Sequence, residues 1–423
     1  MAPQDYARQY RSLPTIIWSC LITIFLCTWV SLHPNVPEPI NTSSLGRCKK
    51  AKTHFLRVMS SRLAPFLVAF LAPEWVLAFS LRQLFSARYL AKQHGLALNQ
   101  AFFIVMGGFH RFERRAEIAE THETLPTTNE APIKVNSTQN QSLAFKDDEF
   151  PCHPLDRFDV IYLLNAGKLQ MPRPNELEDR SKNDWVAKSL VLIQTTWFIG
   201  QCIGRKAQGL ILTELEVITI AYSLVNVAIY IVWWEKPYQV MEPVRVYDEL
   251  PALNEQQQKC RKNAENTSKL FKAFCYVLGA QDRFTDFRTL KRIPTFDAGG
   301  LDNESAHSES IMALIVTGVI FGSIHFLAWA SSFPTSTERL LWHMSTIILV
   351  AVPLFPISFL ILLAVIARLL NLPYEFAVAG SSLLPLAYIV GRITTITLAF
   401  TTLRCLPVEA YRDVGWSDFL PHI

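Results

Sequence analysis

The chain has little charge for its length. Only 18% of its 423 residues are Asp, Glu, Lys or Arg, against roughly 25% in soluble domains, and half are hydrophobic. The formal charge of +4 is too small and too dispersed for a nucleic-acid surface. The eight cysteines (Cys20, Cys27, Cys48, Cys152, Cys202, Cys260, Cys275, Cys405) include no CxxC pair and keep no regular spacing. They read as small apolar residues, which excludes a disulfide or zinc framework. A Walker loop, GxSxG and HExxH are all missing. So are the aspartate-rich pairs that hold magnesium diphosphate, and Asp156-Arg-Phe-Asp159 has the wrong neighbours for one. No metal and no cofactor is expected. Diphosphate ionisation is excluded, but chemistry begun by a proton is not. There is no internal repeat to support an inverted-repeat transporter.

What the chain does have is long apolar runs. A stretch of ~20 apolar residues crosses a bilayer as a helix. Seven spans are expected, at Thr15–Leu32, Leu63–Leu81, Val186–Ile203, Leu210–Trp234, Ile311–Ala330, His343–Leu370 and Phe376–Leu403. The fold class is therefore all-α, a multi-pass transmembrane bundle. Trp18, Trp29, Trp185, Trp233, Trp234, Trp329 and Trp342 fall near span ends, as an interfacial belt requires. Ala101–Phe109 is too short to cross and reads as a re-entrant or interfacial piece, with Gly107-Gly108 allowing a turn, so eight crossings stay open. Span one is too long, and Trp29, His33 and Pro34 too bulky, for a cleavable signal.

The expected organisation is spans one and two with the short apolar segment (1–109), a polar loop (110–185), spans three and four (186–234), a basic loop (235–310), spans five to seven (311–403) and a tail (404–423). The tract 121–142 has a disordered composition, and 270–278 reads as a short amphipathic surface helix. Sequons at Asn41, Asn136, Asn140, Asn266 and Asn303 fall in loops. An odd span number puts four of them, Asn136, Asn140, Asn266 and Asn303, on one side for glycosylation if that side is lumenal. Basic residues flank the spans on both sides, which leaves orientation undecided. An endoplasmic-reticulum or other endomembrane location is expected.

Five ionisable residues lie inside or at the ends of the spans: Glu74, Glu214, Glu216, His325 and Arg392. A charge at the centre of a span costs roughly 2.5–3.5 kcal/mol on insertion scales, so each needs a partner, a wet cavity or a function. At helical spacing, Glu216, Thr219, Ser223, Asn226 and Tyr230 form one polar stripe. Further stripes are Gln194, Trp197, Gln201, Arg205; Ser381, Pro385, Tyr388, Arg392, Thr395; and Cys20, Thr23, Cys27, Ser31. Gly318, Gly322, His325 and Trp329 share a face on which the glycines form a small-xxx-small packing motif. Structural readings stand beside the functional ones. Glu74 and His325 can be hydrogen-bonding glue, Glu214 and Glu216 can be helix-start carboxylates after a Thr213 cap, and Arg392 can pair with a buried carboxylate.

Leu71-Ala-Pro-Glu-Trp75, Ala101-Phe-Phe-Ile-Val-Met-Gly-Gly-Phe109 and Gln194-Thr-Thr-Trp-Phe198 resemble blocks of a large family of fungal multi-pass membrane proteins. Trp233-Trp-Glu-Lys-Pro237, Ile324-His-Phe-Leu-Ala-Trp329 and the ending Gly415–Ile423 do so too. Most of that family has no assigned activity. A second resemblance, to fungal integral-membrane terpene cyclases, implies protonation of an alkene followed by ring closure. On this reading Glu74 or Glu216 is the proton donor, with Arg392 or His325 nearby, and Trp197, Tyr230, Trp329 and Tyr388 line the substrate cavity. The partners expected are the bilayer and a lipophilic isoprenoid. A small-solute transporter or channel, and a seven-helix receptor or scaffold, remain as alternatives.

Overall fold

The structure, a computed structural model, describes residues 10–39, 47–114, 149–180, 184–268, 272, 281–299, 304–371, 380 and 383–414. Outside them lie Asn41, Asn136, Asn140, Asn303, Ser381, the tract 121–142, all of 270–278 except 272, the start of span seven (376–379) and the C-terminal block 415–423, together with the side chain of Trp185.

The chain is mainly helical. Its helices are α1 (Leu13–Ser31), α2 (Arg47–Leu71), α3 (Pro73–His94), α4 (Leu98–Val105), α5 (Arg157–Asn165), α6 (Pro174–Arg180), α7 (Asp184–Ala207), α8 (Glu214–Val232), α9 (Glu255–Asn266), α10 (Glu304–Ile324), α11 (Ser336–Leu354), α12 (Pro356–Leu369), α13 (Leu383–Thr401) and α14 (Val408–Tyr411). Strands β1 (Phe109–Arg114), β2 (Glu149–Pro154) and β3 (Val244–Val246) form a small sheet in the order β2-β1-β3. β1 pairs antiparallel with β2, slipping register between Arg111 and Phe112, and parallel with β3. All-α was expected; the sheet is short and caps one end of the bundle.

Local chemistry sets the helix starts. The Ser12 hydroxyl accepts from the Thr15 amide at the head of α1. Thr213 and Glu216 cap α8 reciprocally, each side chain accepting the other's backbone N–H. α8 lies at the centre, packed against α1, α3, α7, α10 and α13, while α11 bridges α10 and α13.

Among the described residues three helical segments are long and apolar enough to cross a membrane: Leu13–Ser31, Glu214–Val232 and Leu383–Cys405. A fourth candidate is the pair Ser61–Leu71 and Pro73–His94, which bends by 118°. Seven straight spans are not what the chain forms. Span two fails because Pro73 has no N–H to continue the helix of residue 72 and starts its own, while Ala72 takes φ −144°, ψ 70° before it. The arms of this pair return to the same end of the bundle. Arg62 on α2 packs on Tyr238, and Gln83 on α3 accepts hydrogen bonds from Trp233 and Lys236. Span six divides at Phe355, where Pro356 opens α12. In span five the apolar helix covers only Met312–Ala328 and closes with a 3₁₀ turn. Lys188, Gln194 and Gln201 interrupt the run of span three.

The segment Ala101–Phe109 is corrected as well. α4 is a core helix, with Phe102 and Phe103 fully buried beneath the sheet. Gly107 turns the chain at φ +87°, and a Cβ on Gly108 would lie 2.3 Å from the Phe103 ring. Trp233 and Trp342 are core residues and not belt residues, whereas Trp18, Trp197 and Trp234 are exposed. Large apolar side chains face outward along the bundle, with Ile193, Ile231 and Leu369 each more than two-thirds exposed at 69%, 69% and 76%.

Candidate functional site

Three of the predicted ionisable residues meet in the interior. Glu74 stands at the tip of the α2–α3 bend, in the first turn of α3, and is buried. The side-chain face of Gly318 on α10 lies against it: a Cβ there would be 3.9 Å from Glu74 Cγ. Arg392, midway along α13, is fully buried. Its Nη1 lies 2.9 Å from His325 Nε2. Its guanidinium carbon sits 4.7 Å from the Tyr222 ring centroid and 4.5 Å from that of Phe321.

Hydrogen-bond logic fixes the state of His325. Its Nδ1 is 3.1 Å from the Phe321 carbonyl, which can only accept. Arginine can only donate. The imidazole is therefore the neutral Nδ1–H tautomer, accepting from Arg392 through Nε2. This orients the guanidinium along the faces of Tyr222 and Phe321. Tyr222 is held in turn by donating its hydroxyl to the Phe70 carbonyl.

The site is not saturated. Arg392 Nε and Nη2, Glu74 Oε2 and the Tyr388 hydroxyl are buried without a hydrogen-bond partner of standard geometry. Tyr388, one turn before Arg392, is a neighbour of Glu74, and Arg392 acts on Glu74 electrostatically. No ion pair of 4.0 Å or less joins Glu74 to Arg392, so the expected direct salt bridge is not formed. A buried donor or acceptor left open costs about 1–3 kcal/mol. Three side chains thus hold four open polar valences inside an apolar bundle. A carboxyl group placed there can give a proton to a bound molecule and take it back. A fixed guanidinium steadies the carboxylate left behind, and aromatic faces receive a cation.

Glu216 is elsewhere, in the first turn of α8, whereas Tyr222 meets the cluster midway along that helix. Arg11 pairs with both of its carboxylate oxygens, Arg205 lies 3.9 Å away, and Thr213 donates through N and Oγ1 at 2.9 and 3.0 Å. Arg205 also donates to the carbonyls of Ile211 and Ala410, and Arg11 N–H donates to the Tyr411 carbonyl at 2.7 Å. Glu216 is thus the centre of a clamp joining the N-terminal segment, α7, α8 and α14. Glu214, also buried, lies beside Thr402 and Ser331.

The four predicted aromatic residues separate in the same way. Tyr388 faces the cluster. Trp197 is 56% exposed on the outside of α7. Trp329 stacks on His343 at 3.8 Å, turned off the Gly318–His325 face by the 3₁₀ turn Phe326 shares with it. Tyr230 is buried near His33, 6.4 Å between rings, at the sheet end. Sequence reasoning missed Tyr222 and Phe321. The signal for Phe321 was its place one helical turn before His325; that for Tyr222 was its place three residues after Thr219 and four before Asn226, at the edge of the polar stripe of α8.

Of the sequons, Asn266 is exposed in the last turn of α9. Among the described residues no three His, Cys, Asp or Glu side chains are placed to hold a metal, and the described cysteines are free.

Residues 159–311 match the model of a "Family of unknown function (DUF8562)". The match takes in Glu214, Glu216 and Tyr222 but stops before Gly318, His325 and Arg392 and begins after Glu74. No curated protein and no solved structure matches the chain.

Proposed function

We propose that the protein is a multi-pass integral membrane enzyme that protonates and cyclises a lipophilic isoprenoid, with Glu74 as the acid. The membrane part rests on the apolar helices and on the outward-facing side chains such as Ile193, Ile231 and Leu369; exposed apolar surface on this scale needs a non-aqueous neighbour. An endomembrane location goes with that reading. The chemical part rests on one observation: Glu74, Tyr388, Arg392 and His325 converge in the interior with polar atoms left open.

The reaction is an isomerisation and needs no oxidant or cofactor. The Glu74 carboxyl adds its proton to an alkene carbon, and the π electrons form the new C–H bond. A second alkene attacks the resulting carbocation and closes a ring. The Glu74 carboxylate, steadied by Arg392 and Tyr388, then removes a proton from the last cation. Tyr222 and Phe321 present ring faces to positive charge, worth roughly 0.5–2 kcal/mol each when desolvated. Neutral His325 holds Arg392 in place and is a positioning residue. Glu216 has no part in the chemistry. Microsomes containing the protein, given a panel of polyprenylated phenols, should yield a product of unchanged mass with one alkene fewer. Unreacted substrate across the panel overturns the proposal.

One observation favours a second reading, a transporter for a small solute. Two helix breaks meet at the site: Gly318 lies against Pro353, just before the α11–α12 break, and against Glu74 at the α2–α3 break. Adjacent broken helices are how many transporters build a midplane site. Solute flux into proteoliposomes, abolished by Arg392→Leu, supports it; absence of flux rejects it.

A further inference from the structure

A cleft lies at the mouth of the α10–α11 hairpin. Trp329 and Ser331, just past the 3₁₀ turn that closes α10, line it. Ser336, Arg339, Leu340 and His343 line it from the start of α11, where their helical spacing puts them on one face. The cleft holds about 410 Å³, within the roughly 300–1,000 Å³ of small-molecule sites. Glu74, His325, Tyr388 and Arg392 take no part in its lining.

Its charge has one sign. Among the described residues no Asp or Glu lines it, and Arg339 has no ion pair. The neighbouring carboxylate is already engaged: Glu338 accepts from Arg404 Nη2 at 2.8 Å and from Thr335 Oγ1 at 3.0 Å. Glu214 lies beside Ser331 but off the cleft lining. The His343 ring lies flat against Trp329, with 3.8 Å between centroids and 12° between planes. His343 Nε2 is 2.9 Å from the Trp329 carbonyl. A carbonyl only accepts, so Nε2 carries a hydrogen, and Nδ1 carries a second when the ring is protonated. An arginine fork with a further N–H donor beside it suits phosphate oxygens.

The cleft also stands at an apolar border. Leu327, Leu340 and Met344 around it are 57%, 60% and 51% exposed. With α10 and α11 in a bilayer, a placement that rests on the membrane reading above, these side chains meet acyl chains. Trp329, partly exposed, then marks the headgroup level. Arginine in open water needs no partner. Held beside an apolar flank in a membrane, Arg339 meets the headgroup phosphates first.

We infer that this cleft holds the phosphate of an anionic membrane lipid, gripped by Arg339 with His343 and Ser336 alongside. The test uses the purified full chain in phosphatidylcholine nanodiscs with or without phosphatidic acid, and in neutral detergent with inorganic phosphate. Native mass spectrometry reads the retained lipid and thermal unfolding reads the stabilisation. Retention of phosphatidic acid above phosphatidylcholine, with a raised Tm, is expected. Arg339→Gln should cut that retention about tenfold, in line with the loss of one charge-assisted hydrogen bond, and Arg339→Glu should abolish it. Arg339 is exposed, so both variants should fold. Arg368→Gln, past the α11–α12 break, should leave retention unchanged. Equal retention of the two lipids, or equal retention of phosphatidic acid by the parent protein and Arg339→Gln, overturns the inference. A Tm raised as far by inorganic phosphate as by the lipid overturns it too, because the ligand is then a free anion. Flotation of the protein with phosphatidylcholine vesicles after a high-salt wash reads the membrane assignment separately, since it does not depend on Arg339.

Discussion

Gly318→Ala isolates the packing that holds Glu74 in place. A Cβ at this position would stand 2.7 Å from Pro353 Cβ and Cγ. Carbon atoms pack at about 3.5–4.0 Å, so the contact is short by about 1 Å. The proline ring is fused to the backbone of α11 and cannot rotate away. The helices must therefore separate, at an overpacking cost of about 1–3 kcal/mol. Alanine recovers about 1 kcal/mol of helix propensity, which leaves a net loss of about 0–2 kcal/mol. Gly200, on α7, supplies the internal control: nothing lies within 4 Å of its Cβ position, so alanine there gains propensity alone. The two variants should thus differ by about 1–3 kcal/mol, with Gly200→Ala above the parent protein in thermal unfolding and Gly318→Ala below it. Product formation should fall further than stability does, because a displacement of about 1 Å at a reacting group costs on the order of a hundredfold in rate. Equal unfolding temperatures for the two variants would refute the close approach of α10 and α11, and with it the placement of Glu74.

Glu216→Gln leaves buried Arg205 and partly buried Arg11 without their carboxylate; a loss of about 3–5 kcal/mol is expected, read as a lower Tm, with activity per folded molecule preserved. His110, in β1, is held by burial and by neighbouring His153 down to about 4 from an ordinary 6.5. A lowered histidine stabilises the fold above its unfolded value, and that stability drains away as pH falls from about 6.5 to 4, by about 3 kcal/mol in all. Denaturant titrations at stepped pH should show the loss, and His110→Gln should flatten it. Tyr388→Phe removes the hydroxyl beside Glu74 and should lower kcat at nearly unchanged Tm, since that hydroxyl makes no standard hydrogen bond; an unchanged kcat would remove Tyr388 from the site.

Helical periodicity carried most of the interior into view. The stripe Glu216, Thr219, Ser223, Asn226 and Tyr230 is buried along its whole length, as its spacing implies, with Asn226 accepting from Ser31 at 2.7 Å. Periodicity states which face is inward, not which partner it meets. Glu216 and Arg392 look alike in the sequence, yet one is clamped by Arg11, a residue with no motif around it, and the other lies in the aromatic centre. Hydropathy counted crossings badly for a similar reason. The apolar run Leu63–Leu81 is continuous, but Pro73 folds it back, and the information lies in one missing N–H. The 3₁₀ turn after Ile324 likewise kept His325 on the glycine face and sent Trp329 to the rim, where no pattern of period 3.6 would place it. The sheet was invisible because β1 and β2 flank a long polar loop, and two distant short segments leave no local signal.

The most direct measurement is the activity of Glu74→Gln beside that of Glu216→Gln, each normalised to folded protein in the same membranes and given the same isoprenoid panel. Glutamine keeps the shape of the side chain and removes the proton it donates. Loss of all cyclised product in Glu74→Gln, with product retained in Glu216→Gln, is the predicted result. Full activity in Glu74→Gln contradicts the account.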